Sequence, residues 1–377
     1  MQLIYLSPVQ WSSFAQRPQK FAQWFHESTN GRVLWIEPYP SRLPRLSDLT
    51  HSRGSDQGME SEQPWAKVLR PRSLPFEPLP LSGFVNSSLF WSSVFNIAER
   101  FANEGETLIV VGKPSELAVR MLKALPECRA IYDAMDDFPA FFSGMSRWAM
   151  EKRERKIASQ CDVVLASSTR LLEKWQPEHA DVRFVPNALD SKLMPARAEK
   201  QQRNQNKIFG YIGTIGAWFD WNWMIRVAQA RPHDTVFIIG PLSNRYMGTL
   251  PDNIIIRPPC SHQDALKLML TFDVALIPFQ QTALTASVDP IKYYEYIAAG
   301  LPIITTSFGE MRYRQQAPGV YICDDGDDIK AISEEALSFS PTQQFIDTFT
   351  TKNNWSARFN DAAILEKTLY KSKINRY

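Results

Sequence analysis

No stretch of the 377-residue chain approaches about 18 consecutive apolar residues, so no membrane-spanning helix is expected. The opening MQLIYLSPVQW lacks the charged region and the long apolar core of a signal peptide, which points to a cytoplasmic protein. Cysteine is scarce: Cys128, Cys161, Cys260 and Cys323 stand far apart and form no C-x-x-C pair. That pattern argues against a disulfide framework and a zinc site, and for small buried hydrophobes in a reducing compartment. Neither sign of charge dominates. Residues 1–200 carry 25 basic and 23 acidic side chains, residues 201–377 carry 17 of each, and the net charge is +2. Such balance leaves no electrostatic footprint for nucleic acid. Internal repeats are missing, and the acids of DDGDDIKAI lack the spacing of a calcium loop; they read as a turn and a helix N-cap.

What is present describes a soluble globular chain long enough for two domains, with 44% hydrophobic and 22% charged residues. The 11 Trp and 22 Phe read mostly as core. Short apolar runs bounded by polar residues predict buried strands at 3–6, 33–36, 108–112, 129–133, 163–167 and 183–186, then at 208–212, 236–240, 254–257, 274–278, 302–306 and 321–323. Helical spacing alternates with them, as in Arg17-Pro18 followed by Phe21, Trp24 and Phe25, and in 84–101, 150–159 and 262–271. Strand–helix alternation predicts an α/β chain with parallel sheets. Residues 38–82 hold eight prolines and read as an irregular segment with short edge strands. The apolar face of 84–101 is expected to pack on a sheet, with membrane contact as the alternative. Residues 196–206, ARAEKQQRNQN, form a polar linker between a domain of 1–195 and one of 207–350.

The chain is organised around 273–306. After a strand, Asp289-Pro290 opens a helix, with Asp as N-cap and Pro at the first helical position; Gly300 and Pro302 close it. In parallel sheets ligands sit beyond the carboxyl ends of the strands, where this helix begins. Lys292 in its first turn and Glu295 three residues on share one face. The helix N-terminus with an ammonium suits a phosphate, and a carboxylate one turn deeper suits a pair of sugar hydroxyls, so together they suit a nucleoside diphosphate. An i, i+3 salt bridge on an amphipathic helix is the competing reading. The loop Gly213-Thr214-Ile215-Gly216 can bring backbone N–H groups close to a phosphate, although as a bare G-x-x-G it is common in turns. In YDAMDDFPAFF, Asp133, Asp136 and Asp137 leave a strand at its carboxyl end. Clustered carboxylates raise one another's pKa, which suits a general base, with Asp137 preferred and one Asp capping the next helix. Arg17 faces either an anionic ligand or a surface salt-bridge partner.

PIKYYEYIAAGLPIITT resembles the P-x-K-x-x-E-Y-x-A-x-G-x-P-V-V segment of GT-B glycosyltransferases, most closely bacterial enzymes of the family-4 ("group 1") type that assemble polysaccharides. Y-D-x-x-D-D at 132–137, Arg17 and Gln19 after the first strand, and Pro186-Asn187-Ala188-Leu189-Asp190, with Ala188 for the usual Gly, extend the likeness. The resemblance implies two Rossmann-like domains facing across a cleft, with residues 351–377 returning as a helix to the N-terminal domain. It assigns Glu295 to the ribose hydroxyls, Lys292 to the diphosphate, the 213–216 loop and Tyr294 to the donor side, and Arg17 and Asp133 to acceptor or diphosphate. Many relatives carry a second Glu, contacting the donor sugar, where this chain has Ser287, which the resemblance also places on the donor side. The implied function is transfer of a sugar from a nucleotide-sugar substrate to a hydroxyl of a lipid-linked surface glycan, with no metal or further cofactor and with peripheral membrane contact left open. A sugar-nucleotide 2-epimerase and a non-catalytic nucleotide-sugar-binding scaffold are the alternatives.

Overall fold

The computed structural model describes residues 1–39, 59–60, 63–73, 86–87, 89–195 and 206–366. The linker expected at 196–206 therefore lies almost wholly outside the described residues, as does much of 38–82. The N-terminal sheet contains β1 (Gln2–Leu6), β2 (Val33–Ile36), β3 (Met59–Glu60), β4 (Ala66–Leu69), β5 (Thr107–Val111), β6 (Arg129–Ala134), β7 (Val163–Ala166) and β8 (Val182–Phe184). Their spatial order is β3-β4-β2-β1-β5-β6-β7-β8, and only the short β3 runs antiparallel to its neighbour. The second sheet contains β9 (Ile208–Ile212), β10 (Thr235–Ile239), β11 (Ile254–Arg257), β12 (Val274–Ile277), β13 (Ile303–Thr305) and β14 (Val320–Ile322), in the order β11-β10-β9-β12-β13-β14. All of its pairs are parallel.

Central strands such as β1, β5 and β12 are buried at every position because helices cover both faces, which is why they read as unbroken apolar runs. One face of the N-terminal sheet packs Ile4, Leu34, Ile109 and Tyr132 against Trp91, Val94 and Met121; the other packs Tyr5, Trp35, Val110 and Ile131 against Phe21 and Phe25. The helix of 84–101 appears at Ser92–Asn103, with Val94, Ala98 and Phe101 turned into that core.

The direction of winding reverses at β1, flanked by β2 and β5, and at β9, flanked by β10 and β12. These reversals open crevices at the carboxyl ends of β1 and β9, from which the loop before Arg17 and the Gly213 loop depart. The last described helix (Trp355–Asp361) returns to the first domain. Trp355 and Phe359 join its core, and Trp24 Nε1 donates to Asn360 Oδ1 at 2.9 Å. Arg129 and Arg183 each donate to backbone carbonyls just beyond it, on Ile364 and Ala362, both at 2.7 Å. No described helix is long and apolar enough to cross a membrane.

Candidate active site

Loops leaving the carboxyl ends of both sheets touch. The Thr169 N–H and hydroxyl, just past β7, donate to the Glu310 carboxylate, past β13, at 2.8 and 2.7 Å. Phe14, past β1, sets its ring 4.5 Å from that of His262, past β11. Asp289, past β12, accepts from the Asn187 N–H at 2.8 Å, and its carbonyl accepts from Asn187 Nδ2 at 2.7 Å. The two sets of strand ends therefore face one another, the arrangement in which open parallel sheets bind ligands.

Asp289 is not the N-cap that the sequence suggests. The helix spans Ile291–Ala298 and its N-cap is Pro290, without a side-chain cap bond. The Asp289 carboxylate is committed instead to Asn187, to the Tyr294 hydroxyl at 2.8 Å and to Arg314 at 2.7 Å. Tyr294 is corrected with it: 1% exposed and bonded to Asp289 and Arg314, it holds the domain junction and presents nothing to a donor.

On the opposite face of that helix, Lys292 Nζ lies 2.7 Å from Glu295 Oε2, and His262 Nε2 lies 3.3 Å from Glu295 Oε1. Burial alone would raise the Glu295 pKa, but Lys292 and His262 hold it at about 2, so the carboxylate is ionised at neutral pH. A buried acceptor with basic groups on both oxygens can exchange one of them for ribose hydroxyls. Ser287 is 3% exposed. Its loop is seated by Gly309 (φ +45°), where a Cβ would fall 2.3 Å from the Val288 carbonyl oxygen.

The Gly213 loop offers fewer N–H groups than its sequence suggests. Gly213 and Ile215 donate to the carbonyls of Ile239 and Pro241, both at 2.9 Å, and the exposed Thr214 stays at the rim. Gly240 (φ +146°) permits this close approach, since a Cβ there would meet the Gly213 carbonyl oxygen at 2.0 Å.

The N-terminal wall separates the three aspartates. Asp133 is wholly buried, with Arg17 Nη2 2.7 Å from its Oδ1 and the Tyr5 hydroxyl 3.1 Å from its Oδ2. Arg17 also donates to the Val185 carbonyl at 2.6 Å and is 3% exposed. Arg17 and Asp133 are thus an internal ion pair, neither ligand groups nor a surface salt bridge: the depth of the β1 crevice lets the guanidinium reach the β6 carboxylate. Asp137 is held by Lys174 at 2.9 Å, and Lys174 is shared with Glu154 at 2.7 Å. Asp136 makes no hydrogen bond among the described residues. Its pKa is pushed up to about 7, first by burial and then by Asp133 and Asp137, against the lowering effect of Arg17. Lys174 thus engages Asp137, the base preferred from the sequence, and leaves Asp136 as the aspartate without a hydrogen-bond partner among the described residues. His262, Arg314 and Lys174 escaped the sequence reading; Ser261, which caps the helix carrying His262, was the nearest local signal.

A separate cavity of about 580 Å³, lined by residues such as Met1, Glu106, Leu125 and Arg129, opens at the amino ends of β1, β5 and β6. It lies at the opposite end of the sheet from the aspartates.

No protein-family model matches the chain. It is 26% identical over 234 residues to the putative teichuronic acid biosynthesis glycosyltransferase TuaH of Bacillus subtilis (strain 168), a match covering 55% of this chain and 58% of that relative. The structure is similar to sucrose-phosphate synthase from Thermosynechococcus elongatus (TM-score 0.64, 14% identity, 97% of this chain and 98% of that one). It is similar also to Anabaena HepE in complex with UDP and glucose (TM-score 0.65, 12% identity, 97% and 99%). The chain has the GT-B fold, two Rossmann-like α/β domains facing across a cleft.

Proposed function

We propose that the protein transfers a glycosyl group from a nucleoside diphosphate sugar to an acceptor hydroxyl. The observation that carries this reading is Glu295, a buried, ionised carboxylate bracketed by Lys292 and His262 at the mouth of a GT-B cleft. Glu295 takes the ribose hydroxyls, while Lys292 and the N-terminus of its helix meet the diphosphate. As the bond from the sugar C1 to the diphosphate oxygen breaks, its electron pair leaves with the diphosphate, and the ammonium opposes the growing charge. Asp136 takes the proton from the acceptor hydroxyl as that oxygen bonds to C1.

Similarity to a putative teichuronic acid glycosyltransferase and to a protein solved with UDP supports a UDP-sugar donor and a lipid-linked cell-surface glycan acceptor, as in exopolysaccharide or capsule assembly at the cytoplasmic side of a membrane. Calorimetry with UDP, GDP, dTDP and ADP, followed by turnover of the matching sugar nucleotides, tests the reading. Nucleotide binding with acceptor-dependent release of nucleoside diphosphate is expected. Epimer formation without acceptor, or binding of none of the four, overturns it.

A further inference from the structure

We infer that the first half of the helix at Gly144–Ala158, with the turn before it, docks on an anionic lipid surface. Phe141, Met145 and Trp148 are 55%, 86% and 62% exposed, three large apolar side chains within eight residues. Isolated exposed hydrophobics are ordinary, but a cluster of this kind on one protrusion marks an interaction surface. At 100° per residue the buried side of the helix is Met150, Glu154, Ile157 and Ala158. The opposite side carries Met145 and Trp148 in its first turns and Lys152, Arg155 and Lys156 in its last. An apolar tip continuous with a cationic stripe complements a bilayer interface, where rings and thioethers enter the headgroup boundary and ammonium groups meet anionic lipid.

The acids near this face do not cancel it. Glu151 is paired with Arg147 at 3.1 Å, Glu178 is paired with Arg155 at 3.0 Å, and the Lys152 ammonium lies over the Trp148 ring at 5.3 Å. A protein partner would fit the apolar tip alone; Lys152 and Lys156, which have no acidic partner among the described residues, favour lipid headgroups.

The position gives the surface its use. The 3-10 turn Phe138–Phe141 begins directly after Asp137, so the apolar tip borders the loop that carries Asp136. A hydroxyl on a bilayer-anchored glycan would be delivered to that loop from the lipid face. This deepens the glycosyl-transfer reading by naming where the lipid-linked substrate is met, and it rests on that reading only for its use.

The test is flotation of the full chain with vesicles of phosphatidylcholine alone and of phosphatidylcholine mixed with phosphatidylglycerol, without donor or acceptor. The wild type should float with the mixed vesicles only. Triple replacement Phe141→Ser/Met145→Ser/Trp148→Ser should lower partitioning at least about tenfold, and Lys152→Glu/Lys156→Glu should remove the preference for anionic lipid. Unchanged thermal melting and UDP affinity in both variants would show intact folding and a donor site independent of the patch. Absence of wild-type flotation at low salt, or equal flotation by both variants, overturns the inference and leaves the donor assignment standing. A concentration-dependent dimer abolished by the triple variant would instead assign the patch to a second copy of the chain.

Discussion

Lys174 Nζ lies 2.9 Å from Asp137 Oδ1 and 2.7 Å from Glu154 Oε2, and Glu154 also accepts from the Tyr132 hydroxyl at 2.7 Å. This chain of charge-assisted contacts holds the Asp137 carboxylate against Lys174. Its neighbour Asp136 is left without a cation of its own. A poor environment for a carboxylate is a good one for a base working near neutral pH. Asp136→Asn should reduce turnover on the order of 10²–10⁴-fold with donor affinity intact, and Asp137→Asn should cost less than about tenfold. The reverse order in steady-state kinetics, or retained configuration by product NMR, would remove Asp136 from the mechanism.

The same group predicts two pH effects of opposite sense. Activity should rise as pH passes about 7, because a base must be ionised to accept a proton. Stability runs the other way. A carboxyl pKa raised by folding contributes stability that is present at low pH and lost as pH rises through about 7. Asp136→Asn should therefore be more stable than wild type above that pH, on the order of 1–3 kcal/mol, and equal to it near pH 4. Urea unfolding across that range measures the difference, and a pH-independent difference would contradict it.

At the donor wall, Glu295→Ala should weaken UDP binding by roughly 1.5–3 kcal/mol, the range for hydrogen bonds to a charged group. Lys292→Met should reduce turnover more than it reduces binding of uridine, since the ammonium opposes charge that grows as the diphosphate leaves. Normal UDP affinity in a folded Glu295→Ala protein would dispose of the ribose assignment.

His262 touches Glu295 and packs under Phe14 from the other domain. It acts through Glu295, so His262→Leu should raise the donor KM about fivefold with little change in kcat, the loss of about one hydrogen bond. His262→Gln, which restores a donor, should recover most of the loss. A fall in kcat with unchanged KM would give the imidazole a different role.

Arg17 and Asp133 make a buried pair, and removing one partner strands the other charge. Arg17→Met should destabilise the fold by about 3–5 kcal/mol, whereas Arg17→Met/Asp133→Leu should recover much of that loss. Equal unfolding midpoints for the single and double variants would show that the pair is not coupled.

The strands and the helix of the 290–302 segment are legible from the residues because their signals are local. Strands buried on both faces are continuous apolar runs, and Gly300, at φ +72°, ends its helix as a glycine there should. The i, i+3 contact of Lys292 with Glu295 is local as well, and it is present. The start of the Gly144–Ala158 helix was missed because its exposed Met145 and Trp148 break the amphipathic pattern that marks a helix packed on a sheet. Most of what eluded the residues concerns the partner of each charged side chain. Asp289 meets Asn187 across 102 positions, Arg17 meets Asp133 across 116, and Lys174 meets Asp137 across 37. Periodicity and capping act over a few residues, whereas an ion pair forms wherever folding brings opposite charges together out of water. Tertiary packing alone therefore decided that Asp289 joins two domains, that Arg17 is internal, and that Lys174 meets Asp137 and leaves Asp136 without a hydrogen-bond partner among the described residues.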